Sequence, residues 1–142
     1  MRPVLLDSSV YIAALRAADH AILASRWRSS DVPVWLSAVV LEELYAGAGR
    51  LGRHAVERLQ YDFEKAGRIL VPNLSDWIEA GKVLARLAAE YGYERIGQAR
   101  LTNDALIAMS AARQGITVIT VNERDFAQLA QFRPFLWEVK HA

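Results

Sequence analysis

Val4-Leu5-Leu6-Asp7-Ser8-Ser9-Val10-Tyr11-Ile12 joins a short apolar run to an acid, two hydroxyls and the start of a helical pattern. A run this short and continuously apolar reads as a strand covered on both faces. The same grammar recurs along the chain. Strand-like segments are expected at Pro3–Leu6, Val34–Leu36, Arg68–Val71 and Thr117–Thr120, with a weaker one at Leu136–Val139. Helical patterns fall between them, at Ser9–Arg16, Asp19–Arg28, Ala38–Ala46, His54–Ala66, Asp76–Tyr91 and Asn103–Gln114. Ser37, Ser75 and Thr102 stand where N-caps belong, and Gly47, Gly67, Gly92 and Gly115 follow helical runs where a left-handed residue is expected. Strands alternating with helices predict an α/β sandwich around a parallel sheet. In such sheets the ligand crevice lies beyond the carboxyl ends of the strands. Asp7 occupies that position after the first strand, and Asp125 follows Thr120 by five residues.

The 142 residues suit one domain with a substantial core. An apolar share of 53% and a charged share of 23% are ordinary for a soluble globular protein. There is no cysteine, which excludes disulfides and thiolate metal sites and is compatible with a reducing cytoplasm. The run before Asp7 is too short for a signal-peptide core, and the apolar stretch Val32–Leu41 is too short to span a bilayer. A soluble, cytoplasmic protein without a membrane partner is expected. Net charge is +1. If four acids gather in one site, the rest of the chain carries a positive surplus, and Arg50, Arg53, Arg95, Arg100 and Arg124 are candidates to rim that site against a phosphate backbone. Solvated surface positions explain them equally well.

Four acids are costly or oddly placed: Asp7, Glu43, Asp104 and Asp125. Taken alone, Asp7 is explained as a helix cap. Glu43 is more telling. At about 100° per residue it lies about 60° from Val40, on the face shared with Leu36 and Leu44, whereas Glu42 lies about 160° away. An inward acid needs a partner, a cation or an arginine, because burying it unpaired is very costly. Asp104 is excusable at a helix start, where the dipole favours an acid. It nevertheless shares a stripe with Ile107, Ala108 and Ala111 on a helix that is apolar nearly all round. Asp125 lies in Thr120-Val-Asn-Glu-Arg-Asp-Phe and can serve as a ligand or as an N-cap for Phe126–Ala130.

Four hard oxygen donors without cysteine suit Mg2+ or Mn2+ better than zinc. His20, His54 and His141 match no zinc spacing. The chain has no P-loop, dinucleotide fingerprint or nucleophile-elbow serine motif.

In this order the motifs resemble those of the PIN-domain nucleases. Leu6-Asp7-Ser8-Ser9-Val10-Tyr11-Ile12 looks like the opening strand and turn of that family. Leu36-Ser37, followed by Glu42-Glu43-Leu44 and Gly47, is similar to its second motif. Asn103-Asp104-Ala105-Leu106-Ile107-Ala108 resembles the third, and Thr120, Asn122, Asp125 and Phe126 the fourth. The resemblance runs from Val4 to Phe126, and its compact form is most similar to VapC-type toxins of prokaryotic toxin–antitoxin pairs.

The resemblance implies a three-layer α/β/α sandwich whose central five-stranded parallel sheet is ordered 3-2-1-4-5, within a single domain over residues 1–142. It implies an endoribonuclease dependent on Mg2+ or Mn2+ that leaves 5′-phosphate and 3′-hydroxyl ends. Asp7 and Asp104 would be the core metal ligands, and Glu43 and Asp125 would complete the site directly or through water. Ser9, Thr120 and Asn122 match supporting polar positions. The implied partners are RNA, a cognate antitoxin and a second copy of the chain in a homodimer. Two other classes stay open at this stage: a PIN-like binding module with little turnover, and a phosphoryl-transfer domain using Asp7 covalently. The segment Leu51–Ala66 carries nothing tied to chemistry.

Overall fold

A computed structural model describes residues 2–16, 32–97 and 99–140. The helical pattern expected at Asp19–Arg28 lies outside them, as do His20 and His141. Among the described residues the strands are β1 (Val4–Leu6), β2 (Val34–Ser37), β3 (Ile69–Leu70), β4 (Thr117–Thr120) and β5 (Trp137–Val139). The helices are α1 (Ser8–Arg16), α2 (Ala38–Gly47), α3 (Arg50–Ala66), α4 (Leu74–Tyr91), α5 (Tyr93–Ile96), α6 (Ala99–Gln114) and α7 (Glu123–Phe132).

All five strands are parallel, in the order β3-β2-β1-β4-β5. Leu5 and Leu6 point to opposite faces of β1, and neither is more than 1% exposed. Both faces of the sheet are therefore covered, which is why β1 reads as uninterrupted apolar sequence rather than as alternation. Leu36 and Val118, on the neighbouring strands, are fully buried with it. At the end of β1 the chain direction continues through a hydrogen bond from Asp7 N to Ile119 O, 3.0 Å. Because β1 lies between β2 and β4, the sheet order reverses at β1, and the carboxyl ends of β1 and β4 are where an open α/β sheet places its ligand crevice.

Helix boundaries differ from the sequence reading in ways that matter for the site. α6 begins at Ala99 rather than Asn103, so Thr102 is an interior residue and not a cap. Leu101 is fully buried and starts the apolar stripe one turn early. Asp104 thus lies beyond the first turn, where the helix dipole no longer accounts for it. α4 is capped by Asn73, not Ser75. Asn73 Oδ1 accepts from Asp76 N and Asp76 Oδ2 accepts from Asn73 N, both at 2.9 Å, forming a reciprocal capping box. α7 starts at Glu123 behind Asn122, which puts Asp125 in its first turn rather than at its N-cap. α3 starts at Arg50, a turn before His54. Gly47 is the last residue of α2, whereas Gly67, Gly92 and Gly115 have positive φ as expected. Ser37 caps α2 through Val39 N at 3.1 Å.

Among the described residues no helix is long and apolar enough to cross a membrane.

Candidate active site

Asp7 leaves β1 at the crevice and is 2% exposed. Both its oxygens are held. Ser9 Oγ donates to Oδ1 at 2.5 Å, and Thr120 Oγ1 donates to Oδ2 at 2.6 Å. Val10 N adds a longer contact to Oδ1 at 3.4 Å. Ser9 Oγ also accepts from Val121 N at 3.2 Å, and Thr120 Oγ1 accepts from Asn122 N at 2.8 Å. The two hydroxyls therefore clamp the end of β4 to the start of α1, with Asp7 between them. Burial raises the pKa of Asp7, and the bonds from Ser9, Thr120 and Val10, then the charge of Arg100, pull it back in part.

Asn122 extends the network. Its Nδ2 donates to Asp125 Oδ2 at 2.8 Å and reaches Asp104 Oδ2 at 3.5 Å. The amide spans two acids instead of capping α7, which explains why Asn122 makes no side-chain cap bond. Asp104 is 2% exposed on α6. Its pKa is pushed up to about 8, first by burial, then by the charges of Asp7 and Glu43, with Arg100 opposing and Asp125 adding a smaller push. Asp104 is thus the acid on which the other three converge electrostatically.

Glu43 is half-buried and Glu42 is exposed, as the helical phase of α2 predicts. Burial raises the pKa of Glu43, Ser8 and Asn103 hydrogen bonds and Arg100 lower it, and Asp7 raises it again. Glu43 Oε1 is buried without a hydrogen-bond partner. Such an atom is costly unless something positive comes to it.

The structure therefore brings Asp7, Glu43, Asp104 and Asp125 to one edge of the sheet, with Ser9, Thr120 and Asn122 among them. Among the described residues, no three acids close into a ready-made metal shell. The donor chemistry still fits a hard divalent cation: carboxylate oxygens only, one of them orphaned, around an acid that burial and its neighbours keep from ionising. Three contributors to the electrostatics were not singled out as such by sequence reasoning. Ser8 and Asn103 serve Glu43, and Arg100 acts on Asp7, Glu43 and Asp104. Ser8 and Asn103 adjoin acids within the quoted motifs, a signal that could have found them. Of the other arginines considered for the rim, Arg53 pairs with Glu57 at 3.1 Å on an exposed helix face. The side chains of Arg50 and Arg95 lie outside those described.

No curated relative matches the chain by sequence. Solved structures do match its fold. A chain of the DNA-bound VapBC complex from Salmonella typhimurium aligns with a TM-score of 0.67 at 20% identity, covering 98% of each chain. VapBC-1 from nontypeable Haemophilus influenzae gives 0.62 at 21% identity over 96% of each chain. VapBC-5 from Mycobacterium tuberculosis, described as a member of the VapBC family of toxin–antitoxin systems, gives 0.51 at 26% identity over the full length of both chains. The PIN domain family model matches residues 4–131, a span that contains all four acids and the whole of β1 to β4, and this chain belongs to the PIN-domain family.

Proposed function

We propose that residues 1–142 form one PIN nuclease domain, an endoribonuclease dependent on Mg2+ or Mn2+, acting as the toxin of a VapBC-type pair. The observation that carries this reading is the buried Asp104, facing Asp7 and Glu43 beside an unpartnered Glu43 oxygen. A site assembled only for stability would pair these acids with arginines. Here the side-chain donors to Asp7 are neutral hydroxyls, so its orientation is fixed while its charge is offset only in part, by Arg100.

Asp7 and Asp104 are the residues assigned to hold the cation, with Glu43 and Asp125 completing its surroundings directly or through water. When bound, the cation supplies Lewis acidity toward a phosphodiester oxygen and acidifies the attacking water. The chain's own residues do the positioning. Ser9 and Thr120 fix the rotamer of Asp7, Asn122 sets the spacing between Asp104 and Asp125, and Ser8 with Asn103 orient Glu43. Once the acids are ionised, Asp104 or Glu43 accepts a hydrogen bond from the attacking water and aligns it. No side-chain nucleophile is required. The toxin role and the antitoxin partner are supported by the likeness to chains of VapBC complexes, and a homodimer is implied by the family resemblance alone.

The test is cleavage of total cellular RNA by purified protein with Mg2+ or Mn2+, followed by mapping of 5′ ends. New 5′-phosphate termini are expected, absent with chelator and absent for Asp7→Asn and Asp104→Asn proteins that retain the wild-type circular dichroism spectrum. Undiminished cleavage by a folded Asp104→Asn protein would overturn the assignment. RNA bound but never cut by the metal-loaded wild type would convert the reading to a binding module.

A further inference from the structure

Arg100 stands one helical turn before Asp104 on α6, so the two side chains lie on neighbouring ground of the same helix face. The environments differ sharply. Asp104 is buried, Leu101 and Ala105 are fully buried, and Arg100 is exposed. The guanidinium is therefore at the lip of the crevice rather than in it. It makes no hydrogen bond to the buried Glu43 Oε1, which has no partner. Yet its charge acts on Asp7, Glu43 and Asp104 together. An exposed cation this close to buried acids, and not spent on an ion pair with Glu43 Oε1, is a poor structural counter-ion and a good receptor for a second anion. A planar guanidinium is suited to bidentate phosphate recognition.

We propose that Arg100 is a substrate-binding residue that grips a backbone phosphate of single-stranded RNA at the mouth of the acidic crevice, a role that rests on the proposed nuclease activity. Four clustered acids repel a polyanion. A divalent cation in the crevice cancels part of that repulsion, and Arg100 then faces the incoming strand instead of the acids. The exposed position lets the guanidinium make this change by side-chain rotation alone.

The experiment measures binding of a short labelled single-stranded RNA by fluorescence anisotropy across a salt series with Mg2+ present. The Asp104→Asn protein serves as the background in which cleavage is removed. Adding Arg100→Ala should weaken binding about tenfold, the range expected for one charge-assisted contact. It should also reduce the slope of log affinity against log salt by about 0.7, one phosphate contact on a single strand. Arg100→Lys should keep the slope and recover part of the affinity, because a point charge remains without the fork. Arg53→Ala, which removes an exposed cation already paired with Glu57, should leave the slope unchanged. An unaltered slope for Arg100→Ala would overturn the proposal, even if the variant changed the melting temperature of the metal-free protein. Failure of the wild type to cleave any RNA is a separate result. It would refute the nuclease reading while the salt slope still decided whether Arg100 holds phosphate.

Discussion

The pKa of Asp104 yields a stability prediction that needs no knowledge of the substrate. In the folded, metal-free protein it is raised from 3.8 to about 8, chiefly by burial and by the charges of Asp7 and Glu43. Between those two values the native state holds a proton that the unfolded chain has released. Stability then falls as pH rises, because the native state binds more protons than the unfolded state. The contribution is fully present below pH 4 and is lost as pH rises toward 8. Full retention of one extra proton costs about 1.4 kcal/mol per pH unit, so from pH 5 to pH 7 the loss is at most about 3 kcal/mol. For a chain of this size that is a fall in melting temperature of roughly 8 °C.

Asp104→Asn removes the titrating group and keeps the volume and the acceptor for Asn122. In chelator its melting temperature should therefore fall less steeply than the wild type's over the same range, with the residual slope coming from the raised pKa values of Asp7 and Glu43, and should exceed that of the wild type at pH 7. Adding Mg2+ should reverse the order, because the cation stabilises only the form that binds it, by RT ln(1 + [L]/Kd). Differential scanning calorimetry of both proteins at pH 5, 6, 7 and 8, with and without Mg2+, measures every term. Parallel pH profiles for wild type and variant in chelator would refute the claim that Asp104 is held neutral by its surroundings. A wild type insensitive to Mg2+ would refute the claim that these acids answer to a divalent cation.

Ser9→Ala should act on Asp7 rather than on the fold at large. It removes the 2.5 Å bond to Asp7 and the acceptor for Val121 N, should destabilise by about 1–3 kcal/mol, and should raise the pKa of Asp7 further. Calorimetric titration with Mn2+ should show affinity reduced by roughly tenfold to a hundredfold, the usual effect of losing a group that orients a ligand. Arg113→Ala is the structural counterpart. Arg113 Nε donates to both oxygens of Asp76, which is 2% exposed, so its removal leaves a buried carboxylate supported only by the cap of α4. Urea denaturation should show a loss of roughly 3 kcal/mol, while RNA cleavage per folded molecule stays at the wild-type level, since Arg113 lies about 13 Å along the helix axis from Asp104.

How much of this was legible in the sequence depends on whether the signal was local. The inward turn of Glu43 was legible because helical periodicity is a local property, and Glu42 and Glu43 provide their own contrast. β1 was legible because a strand buried on both faces is apolar throughout, and β4 because its β-branched residues Thr117-Val-Ile-Thr120 favour a strand. The start of α6 was not. Thr102 looks like a cap, but Leu101 has a buried site to fill, and the stability gained there carries the helix back to Ala99. That misreading cost more than a boundary. It made Asp104 look like a first-turn acid excused by the dipole, and it separated Arg100 from the helix that gives it its place beside Asp104. The convergence of the acids was beyond any local signal. The bond from Thr120 to Asp7 joins residues 113 positions apart, and it depends on β4 lying next to β1, an order supplied only by the resemblance.

On the proposed reading, the bonding of the acids lets one arrangement both destabilise the metal-free chain and attract a cation. Asp7 has a neutral hydroxyl on each oxygen, Asp104 has one long contact from an amide, and Glu43 has a buried oxygen with none. Neutral donors fix geometry without cancelling charge. Four acids with Arg100 as the cation that acts on three of them would carry three uncompensated negative charges if all were ionised. The metal-free protein avoids that state by keeping a proton on Asp104 at neutral pH, which is why its pKa, and not that of a more exposed acid, rises to about 8. A divalent cation removes the need for the proton. Metal binding should therefore release protons, and the apparent affinity should climb with pH through the range in which Asp104 titrates.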